Sequence, residues 1–98
     1  MEKIITLSSG HIMYLEAYTK KLEYFGECLK QAGINIIEMC RPHFGYDYTY
    51  LVNAKEAIIP DNTMEKFARA GLKTFIDIVS STTNDNKVDK TFIIRFKY

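Results

Sequence analysis

The spacing of large apolar residues in the first third of the chain predicts one long amphipathic helix. Between His11 and Ala32 these residues recur in steps of three and four, at Leu15, Tyr18, Leu22, Phe25, Leu29 and Ala32. An α-helix turns every 3.6 residues, so all six side chains fall on one stripe, which must pack on an apolar surface elsewhere in the chain. Ser8 or Ser9 is the predicted N-cap, and Gly33 is the predicted left-handed residue after the helix.

Strand patterns occupy much of the remaining chain. The predicted strands are Lys3 to Leu7, Ile34 to Arg41, Tyr46 to Asn53, and Asp89 to Tyr98, with Ala57 to Ile59 as a short additional candidate. β-Branched and aromatic residues are enriched in them, and Pro42 and Gly45 mark a turn between the second and the third. In the third and the last of the main strands, apolar and polar residues alternate, which is the period of a half-buried strand.

A second helix is predicted after Pro60. Asp61, Asn62 and Thr63 are candidate N-caps, and the expected apolar face is Met64, Phe67, Ala68, Gly71, Leu72, Phe75, Ile76 and Val79. Gly71 within this face indicates close backbone packing. The polar run from Ser80 to Lys87 is predicted to be a mobile loop.

Together these elements predict one α+β domain spanning residues 1–98. Two helices that each bury one stripe, and four or five strands, favour a two-layer sandwich in which both helices cover one face of a mainly antiparallel sheet. Right-handed crossovers then give a ferredoxin-like, split βαβ arrangement. The alternative is an αβββα core of the double-stranded-RNA-binding kind, with the terminal strands as additions.

Two short segments resemble known families that use the split βαβ layout. The junction KQAGINIIEM, Lys30 to Met39, is similar to the helix-to-strand junction of ACT-type small-molecule-sensing domains. Those domains bind an amino acid near a loop with an acidic residue and a proline, and the equivalent Leu7 to His11 has neither. HFGYDYTYL, His43 to Leu51, resembles the aromatic strand of RNA-recognition motifs, although no basic-glycine pair precedes it and an acid replaces a usually apolar residue.

Composition narrows the class of protein. Apolar residues make up 47% of the chain and charged residues 26%, which are ordinary values for a globular domain. The formal charge of +1 argues against a protein whose main work is to neutralise many phosphates. No apolar run is long enough to span a membrane, and the first ten residues do not form a secretory signal, so a cytoplasmic location is expected. Richness in Lys, Ile, Asn and Tyr suggests a bacterial or phage coding sequence.

The densest group of polar and aromatic residues lies in the predicted hairpin from Arg41 to Tyr50. Its candidate binding residues are Arg41, His43, Tyr46, Asp47, Tyr48 and Tyr50. Aromatic residues and arginine are enriched in ligand pockets and at interfaces, so this hairpin is predicted to line one of the two. A core position for the three tyrosines is favoured over an outward stacking platform, because the alternating positions are polar.

Other candidate chemistry is weaker. His11, Cys28, Cys40 and His43 match no zinc spacing, no metal or other cofactor is expected, and both cysteines are interpreted as free thiols. Ser8, Ser9 and Gly10 could hold an anion at a helix start, but capping is the favoured interpretation. The best basic cluster is Lys66, Arg69, Lys73, Arg95 and Lys97. A solvated helix face explains the first three of these equally well.

The expected function is a non-enzymatic binding or regulatory module that self-associates as a homodimer through its open sheet face or an edge strand, with a protein partner or a small ligand. Nucleic-acid binding by Arg41, Arg95, Lys97 and outward tyrosines is a less favoured alternative. A small enzyme using His43 with Asp47 or Cys40 is another, although no catalytic residue is assigned. An inhibitor or accessory protein of phage type is the last.

Overall fold

The computed structural model describes residues 2–54, 58–84 and 87–98, with the backbone alone at 82–84 and 87–88. Six strands and two helices follow one another along these residues. They are β1 Ile4–Thr6, β2 Ile12–Tyr14, α1 Leu15–Gln31, β3 Asn35–Cys40, β4 Tyr48–Ala54, α2 Asp61–Arg69, β5 Lys73–Asn84 and β6 Lys87–Lys97. The predicted α+β class is therefore confirmed.

The main sheet has four strands in the order β3-β4-β6-β5, and each neighbouring pair is antiparallel. β4 and β5 consequently run parallel to each other, with α2 connecting them and β6 lying between them. This is a split βαβ unit. β1 and β2 form a separate two-stranded antiparallel hairpin. The antiparallel sheet predicted from the sequence is confirmed, and its number of strands is four.

The helix α1 carries the predicted apolar stripe. Tyr18, Leu22, Phe25 and Leu29 are buried, and Leu15 packs against the same core. The predicted start of the helix is wrong, because residues 12–14 instead pair with β1 as β2, and Ser8 and Ser9 lie in the turn between these strands. The predicted end is confirmed, since Gly33 has a φ of +87° and the Ile34 amide donates to the Leu29 carbonyl at 3.1 Å.

The second helix is much shorter than predicted. α2 ends at Arg69, and Gly71, with a φ of +84°, reverses the chain while the Leu72 amide donates to the Phe67 carbonyl at 3.0 Å. The chain then continues as β5, which pairs with β6 over its whole length apart from a bulge between Ile78 and Ser80. Gly71 is thus the stop signal of the helix and not a packing position within it.

Two predicted connections also differ from the structure. The predicted loop from Ser80 to Lys87 belongs mostly to the β5–β6 hairpin, while residues 85–86 lie outside the described residues. In the predicted short strand from Ala57 to Ile59, residue 57 is also outside the described residues, and Ile58 and Ile59 are not in a strand. Ile59 instead contributes a buried side chain to the core.

Both helices lie on one face of the four-stranded sheet, which we call the inner face. Its buried side chains are Tyr48, Tyr50 and Val52 of β4 and Ile94 and Phe96 of β6, and Phe67 of α2 packs on Phe96. The register places the alternate residues of each strand on the opposite, outer face, among them Thr49, Leu51, Phe75, Asp77, Ile93, Arg95 and Lys97.

The helix α1 lies close to the sheet at Gly26. A Cβ atom at this position would lie 2.6 Å from the Met39 Cε atom and 3.3 Å from a ring carbon of Tyr50. Glycine therefore allows the helix to lie directly on β3 and β4. Met39 packs against the core from the inner face, where it is the register partner of Tyr50.

Candidate functional site

The six candidate binding residues of the hairpin from Arg41 to Tyr50 lie in different environments. Tyr48 and Tyr50 are fully buried on the inner face, where the Tyr50 hydroxyl donates to the Leu22 carbonyl at 2.6 Å. The preference for a core position is therefore correct for these two tyrosines. Arg41 is exposed and His43 is half-buried at the tip of the hairpin.

Burial raises the pKa of three hydroxyls in this core. The pKa values of Tyr18, Tyr48 and Tyr50 all lie well above the ordinary value, because desolvation disfavours the tyrosinate. Neighbouring groups raise them further: Asp47 acts on Tyr18, and the Tyr98 hydroxyl, 3.0 Å away, acts on Tyr48. The rings of Tyr18 and Tyr48 are stacked with centroids 5.0 Å apart. These three hydroxyls are therefore neutral at physiological pH, and each forms a hydrogen bond within the core.

Asp47 is a buried carboxylate that ties three segments of the chain together. It is 0% exposed, one of its oxygens accepts from the Ser8 amide at 2.8 Å, and the other accepts from the Tyr98 amide at 2.9 Å. The Tyr18 hydroxyl donates to the Asp47 carbonyl. The turn after β1, the end of β6 and the helix α1 are thus fixed to one residue, which gives Asp47 a structural role.

Replacement of Asp47 by alanine is expected to lower the free energy of unfolding by about 2–3 kcal/mol, because the Ser8 and Tyr98 amides would lose a charged acceptor in a partly buried place. Urea denaturation of Asp47→Ala would measure the loss. Asp61→Ala serves as the control, because Asp61 is exposed in the first turn of α2 and its removal is expected to cost less than about 1 kcal/mol. Equal losses in the two variants would contradict the structural role.

Tyr46 is the member of the predicted set that lies on the outer face. The guanidinium carbon of Arg95 is 4.3 Å from the centroid of its ring, and the ring of Phe75 meets it edge-on at 5.5 Å. The Lys97 ammonium lies 5.2 Å from the centroid of the Phe75 ring, and Asp77 forms an ion pair with Arg95. We call Tyr46, Phe75, Asp77, Arg95 and Lys97 the outer-face cluster.

Two polar atoms on the outer face have no hydrogen-bond partner among the described residues. They are the hydroxyl of Thr49 and the Nε atom of Arg95, and both are buried. Thr49 and Arg95 are direct partners in the register of β4 and β6. Buried polar groups are nearly always paired in folded proteins, so this point of the outer face is under-satisfied in the isolated chain.

The predicted basic cluster is divided between the two sides of the molecule. Lys73 and Lys97 are register partners on the outer face, and Arg95 lies beside them on β6. Lys66 and Arg69 are exposed on α2, where Arg69 pairs with Glu65 at 2.6 Å. Three cations therefore belong to the outer face and two do not.

The residues suggested for catalysis are engaged elsewhere. The Asp47 carboxylate is bound by two backbone amides, and the Nδ1 atom of His43 donates to the Arg41 carbonyl at 2.8 Å. Burial raises the pKa of the Cys40 thiol, and Glu38 raises it further, which disfavours the nucleophilic thiolate. Both Cys40 and the buried Cys28 are free cysteines.

Three further findings concern metal-ligating groups, helices and surface depressions in the described part of the chain. Among the residues that the structure describes, no three His, Cys, Asp or Glu side chains are grouped so as to hold a metal ion. Neither described helix has the length and apolarity needed to cross a membrane. Shallow depressions flank the β1–β2 hairpin and not the predicted site; their linings include Ile4, Leu7, His11, Ile12, Met13, Tyr14, Ala17, Lys20, Lys21 and Tyr98.

Comparison with known proteins gives no relative from which a function can be transferred. No protein family matches the chain, no curated protein is similar to it, and no solved structure matches its fold.

Proposed function

We propose that this protein is a non-enzymatic binding module and that its ligand, a short single-stranded nucleic acid, lies on the outer face of the sheet. The observation that carries this proposal is the outer-face cluster, in which two aromatic rings and two cations lie together on a sheet face that neither described helix covers. Aromatic rings and guanidinium planes on an open sheet are surfaces on which bases stack.

The geometry of Arg95 supports stacking in particular. Its guanidinium carbon lies 4.3 Å from the centroid of the Tyr46 ring, and the group also forms an ion pair with Asp77, so the planar cation is held in position by two neighbours. Because the arginine is already ordered, little of its conformational entropy is lost when a base stacks on the guanidinium group. Lys73 and Lys97 lie side by side on the neighbouring strands β5 and β6. In this proposal they contact phosphates of the bound nucleic acid.

The small number of cations predicts weak dependence on salt. The outer face carries the cations Lys73, Arg95 and Lys97. If each of them contacts one phosphate of a single strand, the slope of log K against log salt concentration is about −2. The formal charge of +1 for the whole chain is consistent with such a local, modest electrostatic contribution. Stacking on Tyr46 and Arg95 therefore supplies a large part of the affinity in this proposal.

Fluorescence anisotropy with a labelled oligothymidine of about eight nucleotides tests the proposal. Tyr46→Leu and Arg95→Gln are each expected to weaken binding by about 10-fold, which corresponds to the loss of one stacked base. Tyr24→Leu and Lys66→Ala are the matched controls, because both residues are exposed on the helices, and they are expected to change the affinity less than about 2-fold. Absence of binding, or loss of binding in the control variants alone, would refute the proposal.

The finer assignment of fold and location is part of the same proposal. Moving the unit α1–β3 behind β6 gives the order βαββαβ, which supports a ferredoxin-like arrangement with its last helix–strand unit placed first. Two free cysteines suit a reducing compartment, which supports the cytoplasm.

A further inference from the structure

We infer that two copies of this chain form a dimer by antiparallel pairing of their β5 strands, with Phe75 at the twofold axis and Lys73 of each copy opposite Asp77 of the other. This inference goes beyond the proposed function, because it concerns pairing with a second copy along the edge of the sheet; the three residues that it uses also lie on the outer face. It starts from the two edge strands, β3 and β5.

The two edges differ in how well they are protected against pairing. β3 has six residues, a bulge at Ile37 between Ile36 and Glu38, and Pro42 shortly after its end. Short length, bulges, charges and proline all hinder the addition of another strand. β5 has twelve residues, and its pairing with β6 is regular from Lys73 to Ile78. The second edge is therefore the open one.

The open edge is also apolar on both sides of the sheet. Phe75 is 36% exposed, Ile76 38%, and Ile78 and Val79 56% each. A long apolar edge strand is a template on which another strand forms main-chain hydrogen bonds. In the regular part of β5, from Lys73 to Ile78, the charged residues are Lys73 and Asp77.

Symmetry restricts how β5 can pair with its own copy. With a twofold axis perpendicular to the sheet, opposite residues must face the same side of the sheet. The axis therefore passes between the two copies of one residue, which lie opposite each other. An axis at Asp77 would place two carboxylates opposite each other. An axis at Thr74 or Ile76 would place Lys73 or Asp77 opposite an apolar residue.

An axis at Phe75 places both charged residues opposite a charge of the other sign, and Asp77, which already pairs with Arg95 of its own chain, gains a second cation. Lys73 then lies opposite Asp77 of the second copy, twice, and the two Phe75 rings meet between these ion pairs on the outer face. Opposite charges and aromatic pairs across antiparallel strands are each worth a few tenths of a kcal/mol or more, whereas like charges are destabilising. The pairing runs from Leu72 to Ile78, so it ends where the bulge of β5 begins. Two four-stranded sheets become one sheet of eight strands whose outer faces point to the same side.

Sedimentation equilibrium and light scattering test the dimer, with twice the chain mass of 11.4 kDa as the expected result at micromolar concentration. Lys73→Glu and Asp77→Lys are each expected to weaken dimerisation by at least 10-fold. The double variant is expected to restore it, because the two charges exchange places. A monomeric mass at about 100 μM for the unchanged protein would overturn the inference.

Cysteine cross-linking tests the register independently of affinity. In a background of Cys28→Ala and Cys40→Ser, Phe75→Cys is expected to form a disulfide-linked dimer, because opposite Cα atoms in an antiparallel pair lie about 4.5–5.5 Å apart. Thr74→Cys and Ile76→Cys are the controls: neither should cross-link alone, but a mixture of the two should give the heterodimer. Efficient cross-linking of Thr74→Cys alone, or no cross-link at Phe75→Cys, would exclude the proposed axis. The two proposals fail separately in the unchanged protein: a chain that stays monomeric but binds oligothymidine would overturn the dimer alone, and a dimer that does not bind oligothymidine would overturn the proposed function alone.

Discussion

Raising the pH above about 10 is expected to destabilise the protein steeply, because three tyrosine hydroxyls must stay neutral in its core. The pKa values of Tyr18, Tyr48 and Tyr50 are raised in the folded state, mainly by desolvation, while in the unfolded chain they are near 10. Above pH 10 the unfolded state therefore loses protons that the folded state keeps. Stability is complete below pH 10 and falls as the pH rises.

The expected loss is large compared with the stability of a small domain. Each of these tyrosines contributes up to about 1.4 kcal/mol per pH unit, and the three together contribute about 4 kcal/mol per pH unit. A domain at the lower end of the usual stability range of about 5–15 kcal/mol would therefore unfold just above pH 11.

Urea denaturation at a series of pH values, followed by circular dichroism, measures this slope. Tyr48→Phe is expected to reduce the slope by about a third, because one ionising group is removed. Tyr24→Phe is expected to leave the slope unchanged, because Tyr24 is exposed in the folded protein. A stability that stays constant up to pH 12 in the unchanged protein would contradict the buried, neutral state of these hydroxyls.

Replacing Phe67 by alanine is expected to lower the free energy of unfolding by about 3–5 kcal/mol. Phe67 is fully buried, and its ring centroid lies 4.6 Å from that of Phe96 and 5.8 Å from that of Phe25. Thr63 is the other buried residue of α2 and Met64 packs partly against the same core, so Phe67 is the one fully buried ring by which α2 is anchored. Its loss would leave a cavity and release a helix of nine residues, which is too short to be stable alone.

The control for this substitution is Phe44→Ala, which removes the same side chain from the tip of the β3–β4 hairpin. Phe44 is 90% exposed, so a change of less than about 0.5 kcal/mol is expected. Urea denaturation compares the two variants directly when the free energy of unfolding depends on urea concentration with the same slope in both. Similar midpoints for the two variants would show that α2 is not held by Phe67.

The parts of the fold that the sequence predicts are those in which one periodicity dominates. The stripe of α1 fits only a helix, and the alternation of apolar residues in β6 fits only a strand, so both were predicted correctly. The hairpin strand β2 was missed because its three residues, 12–14, continue the apolar character of the following helix without a break. Three residues are too few to show a period.

The end of the second helix predicted from the sequence is wrong, because the segment after Gly71 fits both a helix pattern and a strand pattern. Leu72, Phe75, Ile76 and Val79 have the spacing of a helix face, and the same segment, β-branched and apolar on both sides, is also typical of a strand. The glycine was the deciding signal, since a left-handed residue ends a helix. The sequence pattern therefore places Phe75 on a helix face and does not predict its position in the outer-face cluster.

The candidate site was only partly predictable for a related reason. Tyr48 and Tyr50 follow the alternation of β4 to the inner face, but Tyr46 precedes that strand and forms an isolated bridge with His43. Period two does not extend through such a turn, so Tyr46 reaches the outer face. The buried carboxylate of Asp47 depends on amides 39 and 51 positions away in the chain, which no local pattern reveals.

The central place of β6 in the sheet sets an order for the synthesis of the protein. This strand emerges from the ribosome after the other seven elements, yet β4 and β5 have it as a common neighbour. The β3–β4 hairpin and the helix α1 can form earlier from local contacts, whereas β5 has no strand to pair with until translation has passed residue 97. A nascent chain stalled before that point is expected to bind chaperones through the unpaired edge of β4, which β6 covers in the folded protein.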